Sequence, residues 1–111
     1  MSTLESFRAG LRLMRTINPQ IRASQIEMLI TVQLSPGISQ TDLAVECDLT
    51  LSAVSRAVDV FSTSGRRDGR SSALGLLEAR KVPDNERLLA LYLTPKGQQI
   101  LKLLSEINHG N

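Results

Sequence analysis

The sequence predicts a mainly helical α+β domain carrying one small β-hairpin, and three observations lead there. Apolar residues recur at spacings of three and four in the N-terminal, second and C-terminal segments. Between residues 39 and 63, two short helical patterns flank a tight turn. From residue 76 to 94 the period shortens to alternation around a Pro-Asp-Asn turn.

The chain has 111 residues, 41% of them apolar, which suits a single domain over 1–111 with one core. Phe7, Phe61 and Tyr92 are its aromatic residues. The core is therefore aliphatic, and no aromatic platform is available for stacking unpaired bases. Cys47 stands alone, so it forms neither an internal disulfide nor a zinc site. It reads as a buried thiol, and no charged cluster marks it as a redox switch. No segment is long and apolar enough to span a bilayer and no signal-peptide pattern opens the chain, which predicts a cytoplasmic protein.

Formal net charge is +2, unevenly spread. Residues 1–22 hold Arg8, Arg12, Arg15 and Arg22 against Glu5. Residues 23–50 hold Glu27, Asp42, Glu46 and Asp48 with no Lys or Arg. Residues 51–81 hold Arg56, Arg66, Arg67, Arg70, Arg80 and Lys81 against Asp59, Asp68 and Glu78. A positive region beside a negative one suits a face that meets a polyanion.

In "STLESFRAGLRLMRTI", Ser2 and Glu5 form a capping pattern, and Leu4, Phe7, Leu11 and Met14 form one stripe on a helix over 3–17 that stops before Pro19. So regular a seam points to a copy of itself in a second chain, although packing within its own domain fits the same spacing. "ASQIEMLITVQL" predicts a second helix, capped by Ser24 with Glu27, burying Ile26, Leu29, Ile30 and Val32, and stopped by Ser35-Pro36-Gly37.

"SQTDLAVECDLTLSAVSRAVDVF" predicts two helices around Asp48-Leu49-Thr50. Ser39 caps the first, which buries Leu43, Ala44 and Cys47. Thr50 or Ser52 caps the second, which buries Val54, Ala57 or Val58, and Phe61. Ser52, Ala53, Ser55, Arg56 and Asp59 face outward. Small outward residues let a helix sit deep in a major groove, where an Arg reaches guanine or phosphate. An ordinary helical hairpin has the same outline, polar outside because it is wet, and spacing alone leaves both open. Strands over 76–81 and 87–94 follow. Thr94 then caps a helix over 95–107 with Pro95 at its first position and Ile100, Leu101, Leu103, Leu104 and Ile107 apolar. His109 lies in the tail as a bystander.

Helix, helix, helix-turn-helix (39–63), hairpin (76–94), helix is the order of a winged helix-turn-helix. "SQTDLAVECDLTLSAVSRAVDVF", "GLLEAR" and "RLLALYLTPKGQQIL" together resemble the multiple antibiotic resistance regulator (MarR) family over roughly residues 22–104. The most telling is the strand that runs into Leu-Thr-x-Lys-Gly. The resemblance implies a bacterial or phage-encoded transcription regulator, a repressor, that binds pseudo-palindromic double-stranded DNA as a homodimer. It implies dimerisation helices at 3–17 and 95–107, with Leu4, Phe7, Leu11, Met14, Ile100 and Leu104 at the interface. It implies a recognition helix over 51–62 that brings Ser52, Ala53, Ser55 and Arg56 to DNA, with two copies about 34 Å apart. Relatives respond to small phenolic or lipophilic molecules, but no aromatic-lined pocket is legible here, so no effector is assigned.

Two departures stand out. Where the family carries Asp-Arg-Arg before its second wing strand, this chain has Asn85, Glu86 and Arg87. Arg87 alone is retained, either for DNA or for an ion pair within the hairpin. The second departure is an insertion, "GRRDGRSSALG", that precedes the first wing strand, with Gly75 as the better match to the family's glycine. Arg66, Arg67 and Arg70 are expected on phosphates; a hydrated loop or a protein contact is the other reading. The sequence shows no nucleophile set, phosphate-binding glycine loop or metal-spaced cluster, so neither an enzyme nor a cofactor is expected. The remaining alternative is a winged-helix module that binds a protein, such as transcription machinery.

Overall fold

The computed structural model describes residues 3–62 and 74–108, leaving aside the side chains of residues 85–87 and 108. Along the chain run α1 (Thr3–Ile17), α2 (Ala23–Leu34), β1 (Ile38–Ser39), α3 (Gln40–Cys47), α4 (Leu51–Phe61), β2 (Leu77–Val82), β3 (Asn85–Leu93) and α5 (Pro95–Asn108). The strands form an antiparallel sheet in the order β1-β3-β2. The fold is mainly helical with a hairpin wing, as the periodicities predict. Ser2, half of the expected first cap, lies outside the described residues.

The helix-turn-helix is built by local chemistry. Ser39 accepts from Asp42 N at 3.0 Å and starts α3. Asp48 ends it in the left-handed conformation, φ 55, while Leu49 N donates to Ala44 O at 2.9 Å. Thr50, not Ser52, caps α4, accepting from Ala53 N at 3.1 Å. The α2 cap also differs from expectation. The helix begins one residue before Ser24, and the Gln25 side chain closes its first turn by accepting from Arg22 N at 2.9 Å.

One core joins these elements. Met14, Met28, Leu29, Val32, Leu43, Val54, Ala57, Phe61, Leu76, Leu77 and Leu91 are almost completely buried. Each large side chain among them contributes about 1.5–3 kcal/mol by leaving water. In α2, Met28 takes the inward place expected for Ile30, which is exposed. Cys47 is buried, with its Sγ 3.5 Å from Thr31 Oγ1, where α3 meets α2.

Two elements depart from the expected boundaries. The two-residue β1 carried too few positions for alternation to register, yet it pairs Ile38 with Leu91 and Ser39 with Ala90. Strand β3 starts two residues earlier than expected, because Val82 pairs with Asn85 after a bulge at Lys81/Val82. The tip of the wing is thus Pro83-Asp84, and Arg87 belongs to the strand.

Candidate nucleic-acid interface

Helix α4 is two-sided. Val54, Ala57, Val58 and Phe61 anchor it in the core, while Leu51, Ser52, Ala53 and Arg56 are exposed and Ser55 is half-buried. The exposed side is small except at Leu51 and Arg56, so the helix axis can approach a flat or grooved partner closely. The 63–73 stretch leaves α4 after Ser62 and returns at Leu74, whose N–H donates to Val60 O at 2.9 Å; Leu76 N donates to Phe61 O at 2.7 Å. The described residues that flank 63–73, Ser62 and Leu74, therefore both sit at the C-terminal end of α4. Arg66, Arg67 and Arg70 themselves lie outside the described residues.

The wing root is fixed by the Leu-Thr-x-Lys-Gly segment. Thr94 N donates to Leu76 O at 3.0 Å, Thr94 Oγ1 donates to Gly75 O at 2.6 Å, and Lys96 Nζ donates to Leu74 O at 3.2 Å. Gly97 N donates in turn to Thr94 Oγ1 at 3.1 Å, and a Cβ on Gly97 would collide with the Leu76 carbonyl. Three residues of this segment thus hold the chain at 74–76, where Gly75 turns it with φ 72.

On the wing face, Arg80 Nη2 donates to Glu78 Oε1 at 2.9 Å and its guanidinium lies 4.4 Å from the Tyr92 ring centroid. The Glu78 hydrogen bond, then its charge, holds the Arg80 pKa above its ordinary value. A raised pKa on a base means that any stabilisation is complete below the ordinary guanidinium range and is lost only as pH rises through the raised value. Arg80 therefore gives binding or folding no pH dependence near neutrality. Alternation alone did not single out Arg80; its diagonal contact with Tyr92, the cross-strand register partner of Glu78, does.

The residues expected at a dimer interface separate into two groups. Leu4, Phe7 and Leu11 are exposed on α1, at 80%, 60% and 37%. Met14 and Leu104 are instead buried by their own chain, and Ile100 packs half-buried against the same core. The separation has a packing cause. Helix α1 meets α5 through Ser6, Gly10 and Met14, and a Cβ on Gly10 would come within 2.7 Å of Leu104 Cδ1. The side with Ser6, Gly10 and Met14 faces the rest of its own chain, and the Leu4, Phe7 and Leu11 part of the stripe faces away.

A cleft also runs between the α1–α2 turn and α4, with Arg22 on one side and Arg56 on the other. Sequence reasoning counted Arg22 only as part of the N-terminal charge. Among the described residues, no three of His, Cys, Asp and Glu are grouped to hold a metal ion, and no helix is long and apolar enough to cross a membrane.

Solved structures share this arrangement. FabT of Streptococcus pneumoniae in complex with DNA superposes with a TM-score of 0.67 at 18% identity, covering 81% of this chain and 56% of that one. A mutant MarR from E. coli complexed with operator DNA gives 0.64 at 21% identity, over 93% of this chain and 68% of that one. The transcriptional repressor CouR, bound to a 23-mer DNA duplex, gives 0.63 at 23% identity, over 96% and 67%. The fold is the MarR winged helix. No protein-family model matches the sequence, and no curated protein matches it. The chain spans little more than half the length of FabT. Within the MarR fold, α4 occupies the place of the second helix of the helix-turn-helix and β2–β3 that of the wing.

Proposed function

We propose that the protein is a non-enzymatic, sequence-specific transcription regulator that acts as a repressor by occupying double-stranded DNA as a homodimer. The observation that carries this reading is the two-sided α4, whose small exposed face bears Arg56 on a MarR winged helix. Ser52, Ala53 and Ser55 line the close approach to base edges, and Arg56 reaches a guanine or the neighbouring phosphate. Arg66, Arg67 and Arg70 add phosphate contacts beside the C-terminal end of α4, and Arg87 adds one from the wing. Leu4, Phe7 and Leu11 meet their copies in the second protomer, with Ile100 at the margin; Met14 and Leu104 support that surface from beneath. Occupying the duplex excludes polymerase sterically, so the mechanism needs no reaction chemistry or cofactor. That FabT, a MarR mutant and CouR were solved on DNA supports the reading.

Selection of bound duplexes from a random pool tests it. An inverted repeat with half-sites about one helical turn apart is expected. A pool that returns no enriched sequence overturns it.

One observation favours the alternative of a protein-binding module. Leu34 and Val45 are 77% and 76% exposed, and Val45 shares a groove with the carboxylates of Asp42 and Glu46. Retention on random duplex at low salt separates the two readings: the regulator is held and elutes with salt, whereas a module of this kind passes through.

A further inference from the structure

In the cleft beside α4, only the α4 side has a part in the contacts assigned so far. Asn18, Gln20 and Arg22 line it from the α1–α2 turn, Ala53 and Arg56 from α4, and the buried Met28 also lines it. No Asp or Glu lines it. Among the described residues, neither guanidinium is ion-paired. Two like charges facing one space repel each other, and an anion placed between them removes that repulsion. The amide side chains of Asn18 and Gln20 add hydrogen-bond donors, so the matching chemistry is an oxyanion with several peripheral oxygens.

The geometry points to a phosphodiester clasp: Arg22, with Gln20 beside it, grips a backbone phosphate at the edge of the groove that α4 enters, while Arg56 reaches inward from the opposite side. The inference rests on the reading of α4 as the DNA-contacting helix. Its source of phosphate is the duplex because Ala53 and Arg56 belong both to the cleft and to the exposed face of α4. A helix about 10–12 Å across fills a major groove about 12 Å wide, so protein flanking that helix meets the phosphate ridge. Arg22 is also held before DNA arrives. Its N–H donates to Gln25 Oε1 at 2.9 Å, Gln20 N donates to Asn18 Oδ1 at 3.1 Å, and Ile21 N donates to Asn18 O at 2.9 Å. Little backbone freedom remains to be lost on binding.

The test uses the full chain and the duplex recovered by selection, titrated between low and moderate salt. Arg22→Ala is expected to weaken binding to selected and random duplexes by the same factor, roughly tenfold. The slope of log affinity against log salt should fall by about 0.9 for each phosphate that the variant leaves unneutralised. The selected sequence should stay the same, and Arg22→Lys should restore the slope. A duplex made neutral by methylphosphonate at one flanking phosphate per half-site should weaken the wild type but not Arg22→Ala. Arg22 is exposed, so an unchanged melting curve confirms that the variant is folded. If the wild type binds duplex and Arg22→Ala binds it with the same slope, the clasp is wrong while the regulator reading stands. If the wild type binds no duplex, that reading fails first. Inorganic phosphate that raises the wild-type melting temperature, but not that of Arg22→Ala, with duplex affinity equal in both, overturns the clasp in favour of a small-anion site.

Discussion

The Thr94 hydroxyl donates to the Gly75 carbonyl at 2.6 Å, across nineteen residues of chain. This bond ties the start of α5 to the point where the chain turns into the wing, and the same oxygen accepts from Gly97 N at 3.1 Å. Thr94 is itself buried. Replacing it by valine keeps the shape but leaves a carbonyl and an N–H without their partner. Thr94→Val should cost about 2 kcal/mol or more, read as a lower midpoint in urea unfolding with an unchanged m-value.

Gly97 lies so close to the Leu76 carbonyl that a methyl group has no room, and the obstructing atom is backbone. Gly97→Ala should therefore destabilise by about 1–3 kcal/mol despite the better helix propensity of alanine. A thermal melt equal to or above that of the wild type would show that α5 and the wing root are not in this close contact.

Phe7 and Met14 both appear on one helical stripe but should behave oppositely. Phe7→Glu, at an exposed position, should leave the protomer folded and shift sedimentation from dimer to monomer. Met14→Ala, in the core, should cost about 2–5 kcal/mol of folding stability whatever the protein concentration. A Phe7→Glu variant that sediments as the wild type would remove α1 from the interface.

Arg56 and the three arginines of the insertion should differ in kind. Arg56→Ala should change which duplexes are selected and cost about 1–3 kcal/mol on the preferred one. Changing Arg66, Arg67 and Arg70 to Ala should weaken all duplexes alike and flatten the salt dependence. An unchanged slope in the triple variant would return the insertion to the role of a hydrated loop.

Asp48 carries φ 55 at the end of α3. Asp48→Val should cost about 1–3 kcal/mol, because a β-branched residue does not accept that conformation. Asp48→Gly should retain wild-type stability or exceed it. Equal melting of the valine variant would mean that the turn between α3 and α4 has relaxed to a different shape.

Much of this fold is written in short-range chemistry, which is why it was legible. Ser39 and Thr50 each fix a helix start through a bond to an N–H three residues on, and Pro19 and Pro36 mark breaks. The alternation from 88 to 93 gave the wing strand. The signals that failed were those whose meaning depends on a neighbour. Ile30 and Met28 are equally apolar, and only the packing of α2 against its surroundings put Met28 inside. Two residues of β1 cannot show a period, and became a strand because Leu91 and Ala90 were there to pair with them. Arg22 looked like one charge among several until the turn brought it across from Arg56.

By itself, the sequence determined the helices, the Ser39 cap, the tight turn and the hairpin, because each follows from bonds and periodicities within a few residues. The tertiary structure alone decided which side of α1 is inside, since the choice turns on how closely Gly10 lets α5 approach. A hydrophobic stripe records that side chains avoid water; only the packed neighbours determine whether their own chain supplies the cover.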